Sequence, residues 1–125
     1  MPPYKPTGRT PAAFRQGYCL YVESNRRPRD KTTCREAILA VAWFLGNHQG
    51  DPNEEAAREY LNELKKRLAD MYYNQALFYD KMKNKPKAAL IAYNDFIKRF
   101  PRSEKAELVN ERIVALNNEL EKKDE

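Results

Sequence analysis

The sequence predicts an all-α protein, an α-solenoid of about five helices stacked as antiparallel helical hairpins. Three observations predict it. Apolar residues recur every three or four positions through most of the chain, the period of a helix with one buried face. Only four of the 125 residues are glycine, so long irregular segments have little support. The breaks between periodic stretches are short and carry Pro or Asn, which end helices. Helices joined by short breaks fold back on one another as antiparallel neighbours.

Each element has a local cause. Residues 1–10 hold three prolines and are expected to be extended or disordered. A first helix is expected over 11–23, with Phe14, Tyr18, Tyr21 and Val22 at helical spacing; Pro28 blocks its continuation. A second is expected over 31–47, opened by a Thr33-x-x-Glu36 capping box. Its inner stripe is read as Ile38, Ala42 and Leu45, with Val41 and Phe44 beside them and Trp43 reaching the neighbouring repeat. A third opens at Asp51-Pro52-Asn53-Glu54, with Asp51 as N-cap and Pro52 at the first helical position. Nothing stops it before 83–86, which makes it roughly 30 residues long, far above the usual helix. Leu61, Leu64, Leu68, Met71 and Tyr72 form its stripe, which Ala76 and Tyr79 extend. Asn84 suits a helix C-cap, and Pro86 opens a fourth helix with Ala89, Tyr93, Phe96 and Ile97 inside; Phe100-Pro101 ends it. Ser103 caps a fifth over 104–121, with Ala106, Val109, Ile113, Leu116 and Leu120 as its seam. The helical domain is thus expected over 11–122, with 123–125 frayed.

Composition narrows the function. A single domain of this length buries about two-thirds of its unfolded surface, enough for a core without staples. Hydrophobic residues make up 42% and charged residues 33%. The mean hydropathy of −0.89 points to a large surface for the core. Net charge is +5, but 18 acidic residues are spread among the 23 basic ones, as on a solvated face laced with ion pairs. Nucleic-acid binding needs cations gathered on one face. The two clusters, in 26–31 and 81–87, fall at expected turns, so no nucleic-acid partner is expected. Cys19 and Cys34 lie in consecutive helices; each suits a small buried side chain, and a bridge between them is geometrically open. A lone His48 excludes a histidine zinc site and is expected to end a helix. No stretch reaches the roughly 18 apolar residues of a membrane span. The polar start MPPYKPTGRTP does not read as a signal peptide, so the chain is expected to be either cytosolic or a piece of a longer protein.

No catalytic constellation stands out. The glycines at 8, 17, 46 and 50 form no phosphate loop, and no H-E-x-x-H, C-x-x-C or G-x-S-x-G occurs. Glu54/Glu55 and Glu104/Glu107 sit at helix starts, where the helix dipole accounts for them. The expectation is no enzyme, no cofactor and no metal. Tyr72, Tyr73, Phe78 and Tyr79 admit three readings: core filling, groove contacts with a protein, or base stacking. The candidate partner-binding residues are Tyr73, Tyr79, Lys85, Lys87, Lys98 and Arg99.

Residues 68–101 form a helix-turn-helix unit of about 34 residues, the period of tetratricopeptide (TPR) repeats. Ala76, Phe78 and Tyr79, then Ala88, Ala89, Ala92 and Tyr93, then R-F-P-R-S-E-K-A-E over 99–107 resemble such repeats. With Pro28-Arg29-Asp30-Lys31-Thr32, Trp43-Phe44-Leu45 and the Ala57, Arg58, Leu64, Lys65, Arg67, Leu68, Ala69 pattern, the order resembles the C-terminal repeats of BamD-like lipoproteins of outer-membrane β-barrel assembly. Lys31 replaces the family's Gln, and 48–52 (HQGDP) replaces a Tyr-Pro stop. The resemblance implies a scaffold at the periplasmic face of the outer membrane, in a lipid-anchored parent protein. Its implied partner is a periplasmic domain of the barrel-forming protein. The alternative is a TPR-type adaptor for some other polypeptide.

Overall fold

The computed structural model describes residues 10–82 and 85–124. The expected features at 1–9, Asn84 and the last residue of the tail lie outside the described residues. Among the described residues the chain forms five helices and no strand: α1 (Ala12–Arg26), α2 (Lys31–Asn47), α3 (Glu54–Lys81), α4 (Pro86–Arg99) and α5 (Ala106–Asp124). The protein is all-α, and α3, with 28 residues, is the long helix expected. The chain divides into two compact units at Leu68/Ala69, so α3 contributes to both.

In the first unit, α1 and α2 form an antiparallel hairpin. Phe14 meets Phe44 at 5.2 Å between ring centroids. One turn on, Gly17 faces Val41, so closely that a Cβ on Gly17 would stand 3.1 Å from Val41 Cγ2. The same register sets Tyr21 opposite Ala37 and Ser24 opposite Cys34, and all eight residues are buried. Large faces small in the inner layers, which lets the helices approach. α3 runs parallel to α1: Tyr60 stacks on Tyr21 at 4.4 Å, Tyr21 donates its hydroxyl hydrogen bond to Glu63, and Arg67 donates to Ser24 Oγ at 3.1 Å. Tyr60 also meets Phe14 and Tyr18, so three α1 rings close on one α3 ring. Cys34 Sγ donates to the Leu64 carbonyl at 3.3 Å.

Four expectations are corrected here. The stripe of α2 is Cys34, Ala37, Val41 and Phe44; Ile38 and Leu45 are half-buried and Ala42 is exposed. The Gly17–Val41 approach rotates α2 so that Val41 leads. Trp43, expected to reach the neighbouring repeat, is 57% exposed, its ring against His48. The N-cap of α2 is Asp30, whose Oδ1 accepts the Thr33 amide at 3.1 Å; Thr33 supplies the donor instead of the cap. Cys19 is exposed and Cys34 buried, and both are free thiols. His48 does end α2, its amide bonded to the Phe44 carbonyl.

The ends of α1 and α3 also shift. α1 continues to Arg26 because the first backbone conformation Pro28 restricts is that of Arg27. Asp51 Oδ1 accepts the Asn53 amide at 2.8 Å in a turn that begins at Gly50 (φ 81°). Pro52 therefore belongs to the turn, Asn53 takes the cap position, and α3 starts at Glu54. Ala57 and Tyr60 join Leu64 and Leu68 in its buried stripe, while Leu61 and Met71 are half-buried.

In the second unit, α4 opens at Pro86 as expected and runs antiparallel to α3: Tyr73 meets Phe96, and Tyr93 donates to Asp80 at 2.7 Å. α5 starts at Ala106, two residues later than expected, after Ser103 Oγ accepts the Lys105 amide at 3.2 Å. The register that brings Tyr93 and Arg112 to one Asp80 carboxylate sets Phe96 opposite Val109 and Ala89 opposite Leu116. All four of these apolar residues are buried.

Candidate functional site

Two constellations in the second unit hold polar chemistry. The first ties its three helices together. Asp80, on α3, accepts Arg112 Nε at 2.7 Å and a terminal Arg112 nitrogen at 2.8 Å, a two-pronged pair, as well as the Tyr93 hydroxyl. The Arg112 guanidinium holds the Asp80 carboxyl below the usual carboxylate range, with Tyr93 adding to the effect. Burial, then the Asp80 hydrogen bond, push the Tyr93 phenol up. Asp80 accepts from two helices at once, so the cluster ties α3, α4 and α5 together.

The second is a groove of about 380 Å3 between α3 and α4. Tyr72, Gln75 and Tyr79 line it from α3 at helical spacing, and Ala88, Ile91, Ala92 and Asp95 from α4. The alanines leave the space open. Ile91 is 72% exposed although it stands beside the buried Ala89–Tyr93–Phe96 stripe. Near the same hairpin end, Phe78 and Met82 are exposed too, and Phe78 meets the Tyr79 ring edge-on at 5.7 Å. An exposed apolar cluster around a concavity is the usual form of a protein-binding surface.

The structure separates the six sequence candidates. Tyr79 lines the groove. Tyr73 does not; it is half-buried, edge-on to Phe96, with Lys105 Nζ 4.5 Å above its ring. Its position supports the core-filling reading instead. Lys85 and Lys87 are exposed at the start of α4, Lys98 and Arg99 at its end. The two pairs are thus about 20 Å apart along a 14-residue helix. Arg99 is engaged, with Nε 3.0 Å from Asp95 and its guanidinium 4.9 Å from the Tyr72 ring centroid. Among the described residues, Lys85, Lys87 and Lys98 form no ion pair. Sequence reasoning missed Gln75, Ile91 and Asp95. The signal for Ile91 was present: a β-branched apolar residue off the stripe of its own helix.

Among the described residues, no three His, Cys, Asp or Glu side chains gather as a metal site, and no helix is long and apolar enough to cross a membrane. No protein-family model, curated protein or solved structure gives a significant match to this chain.

Proposed function

We propose that this chain is a non-catalytic protein-recognition scaffold that binds a partner polypeptide in the α3/α4 groove. The observation that carries the reading is the exposed Ile91 beside Tyr79 on an open concavity. The helix order also supports it. In each unit an antiparallel hairpin is followed by a helix parallel to its first, the arrangement of TPR-type repeats, which bind proteins along their grooves. The finer reading is that the chain is a fragment of a BamD-like component of barrel assembly, working at the periplasmic face of the outer membrane beside a periplasmic domain of the barrel-forming protein. Its support is the ordered motif resemblance over about 10–115. A TPR-type adaptor for another polypeptide is the second reading, favoured by Lys31 and the HQGDP turn, where the family pattern is broken.

Biolayer interferometry of the immobilised full chain against the purified periplasmic domains of the barrel-forming protein tests the finer reading. Binding that Tyr79→Ala weakens about tenfold is expected, as for an aromatic anchor at an interface. Absence of binding at micromolar concentrations removes the barrel-assembly reading.

A further inference from the structure

The outer face of α4 carries a regular row of exposed residues. Lys87, Ile91, Asn94 and Lys98 recur at helical spacing and are all exposed, so they form one straight stripe along the open side of the groove. Lys87 and Lys98 stand eleven residues apart, about 16 Å along the axis, with Ile91 between them. The acids near this stripe are already neutralised: Asp95 by Arg99 and Asp80 by Arg112. Among the described residues, Lys87 and Lys98 have no acidic partner. The rim is therefore positive around an apolar centre.

We infer that this stripe and groove receive an amphipathic helix of a partner protein. Its apolar side covers Ile91 and Tyr79, and two of its carboxylates, about three helical turns apart, meet Lys87 and Lys98. The inference rests on the protein-recognition reading above and names the chemistry of the occupant. A helix suits the site better than an added strand. The α3 and α4 backbones satisfy their own hydrogen bonds, so neither offers the unpaired edge that strand addition needs. A straight row with a period of three to four residues is complementary to another helix. The groove has the volume for a few side chains, as a helix anchored by one apolar stripe requires. Opposite charges at both ends of the row fix the register of the partner and speed its encounter.

Selection of a phage-displayed library of helical 20-residue peptides on the full chain tests this, with counter-selection on the Ile91→Glu chain. Expected is enrichment of peptides with two acidic residues eleven positions apart and apolar residues between them. The best peptide, measured by fluorescence polarisation, should bind a Lys87→Glu/Lys98→Glu chain at least tenfold more weakly at ~50 mM salt, and the gap should narrow at ~500 mM as screening grows. Exchanging the peptide's two acids for lysine should restore binding to that variant. Circular dichroism of both variants matching the parent excludes misfolding as the cause. Groove-dependent peptides without that acid spacing, or an affinity unmoved by the double variant, overturn the inference and leave protein recognition standing. The inference also falls if a single-stranded oligonucleotide binds with steep salt dependence and no peptide is enriched. If no ligand distinguishes the parent from Ile91→Glu, the recognition reading falls with it.

Discussion

Asp80 shows how one residue decides the geometry of its unit. Its side chain is only 10% exposed, and it accepts from α4 through Tyr93 and from α5 through Arg112. A nearly buried carboxylate is costly unless paired and hydrogen-bonded, and here it is both. Asp80→Asn keeps the shape and removes the charge. It should lower stability by about 1–2 kcal/mol near neutral pH, a value kept modest because Arg112 is 40% exposed and partly screened. The sign with pH follows from the depressed carboxyl. Its contribution is complete above the ordinary aspartate value of about 3.9 and is lost as pH falls through the lower folded value. Urea melts of the two proteins should therefore differ at pH 7 and converge toward pH 2; a constant gap would show that the ion pair is not its source. None of this was legible from sequence. Asp80, Tyr93 and Arg112 are far apart in the chain, and no motif marks Asp80.

At the scale of elements, the α1/α2 hairpin turns on one close approach. Gly17 has no side chain where Val41 arrives, and Val41 is β-branched with little freedom to turn aside. Gly17→Leu should separate the helices and cost about 1–3 kcal/mol or more, as overpacking does. Chemical melts compared with Gln16→Leu, on an exposed neighbouring position of the same helix, separate crowding from helix propensity. Equal midpoints for the two variants would show that α1 and α2 do not meet at this glycine. Helix existence was readable throughout; Pro28 and Phe100-Pro101 marked real ends, and Pro86 a real start. The starts were less legible. Asp30, Thr33, Asp51 and Ser103 are all cap-type residues, and which one caps depends on where the preceding turn delivers the chain. The face of α2 was misread for a related reason. Its sequence is apolar nearly all round, so periodicity alone did not choose between the Val41 and Ala42 sides.

At the scale of the whole molecule, Cys34 reports on the first unit. It is buried with its thiol bonded to the Leu64 carbonyl, and burial pushes the thiol up in pKa, away from the reactive thiolate. Cys19 is exposed. A thiol reagent should modify one cysteine per chain in native buffer and the second only as urea opens the unit. Two equally fast reactions in native buffer would place Cys34 outside the core. The amino-acid order by itself determined that the chain is helical, how many helices form and where prolines interrupt them. Those choices are local, set by apolar period and by backbone groups that proline cannot supply. Only the tertiary structure decided which side of α2 is buried, that Tyr73 packs beneath Lys105 while Tyr79 borders the groove, and that Asp80 is claimed from two helices. Each of these depends on the register between helices. How the side chains of two helices fit together sets that register, as Gly17 against Val41 and Tyr21 against Ala37 do, and no single segment encodes it.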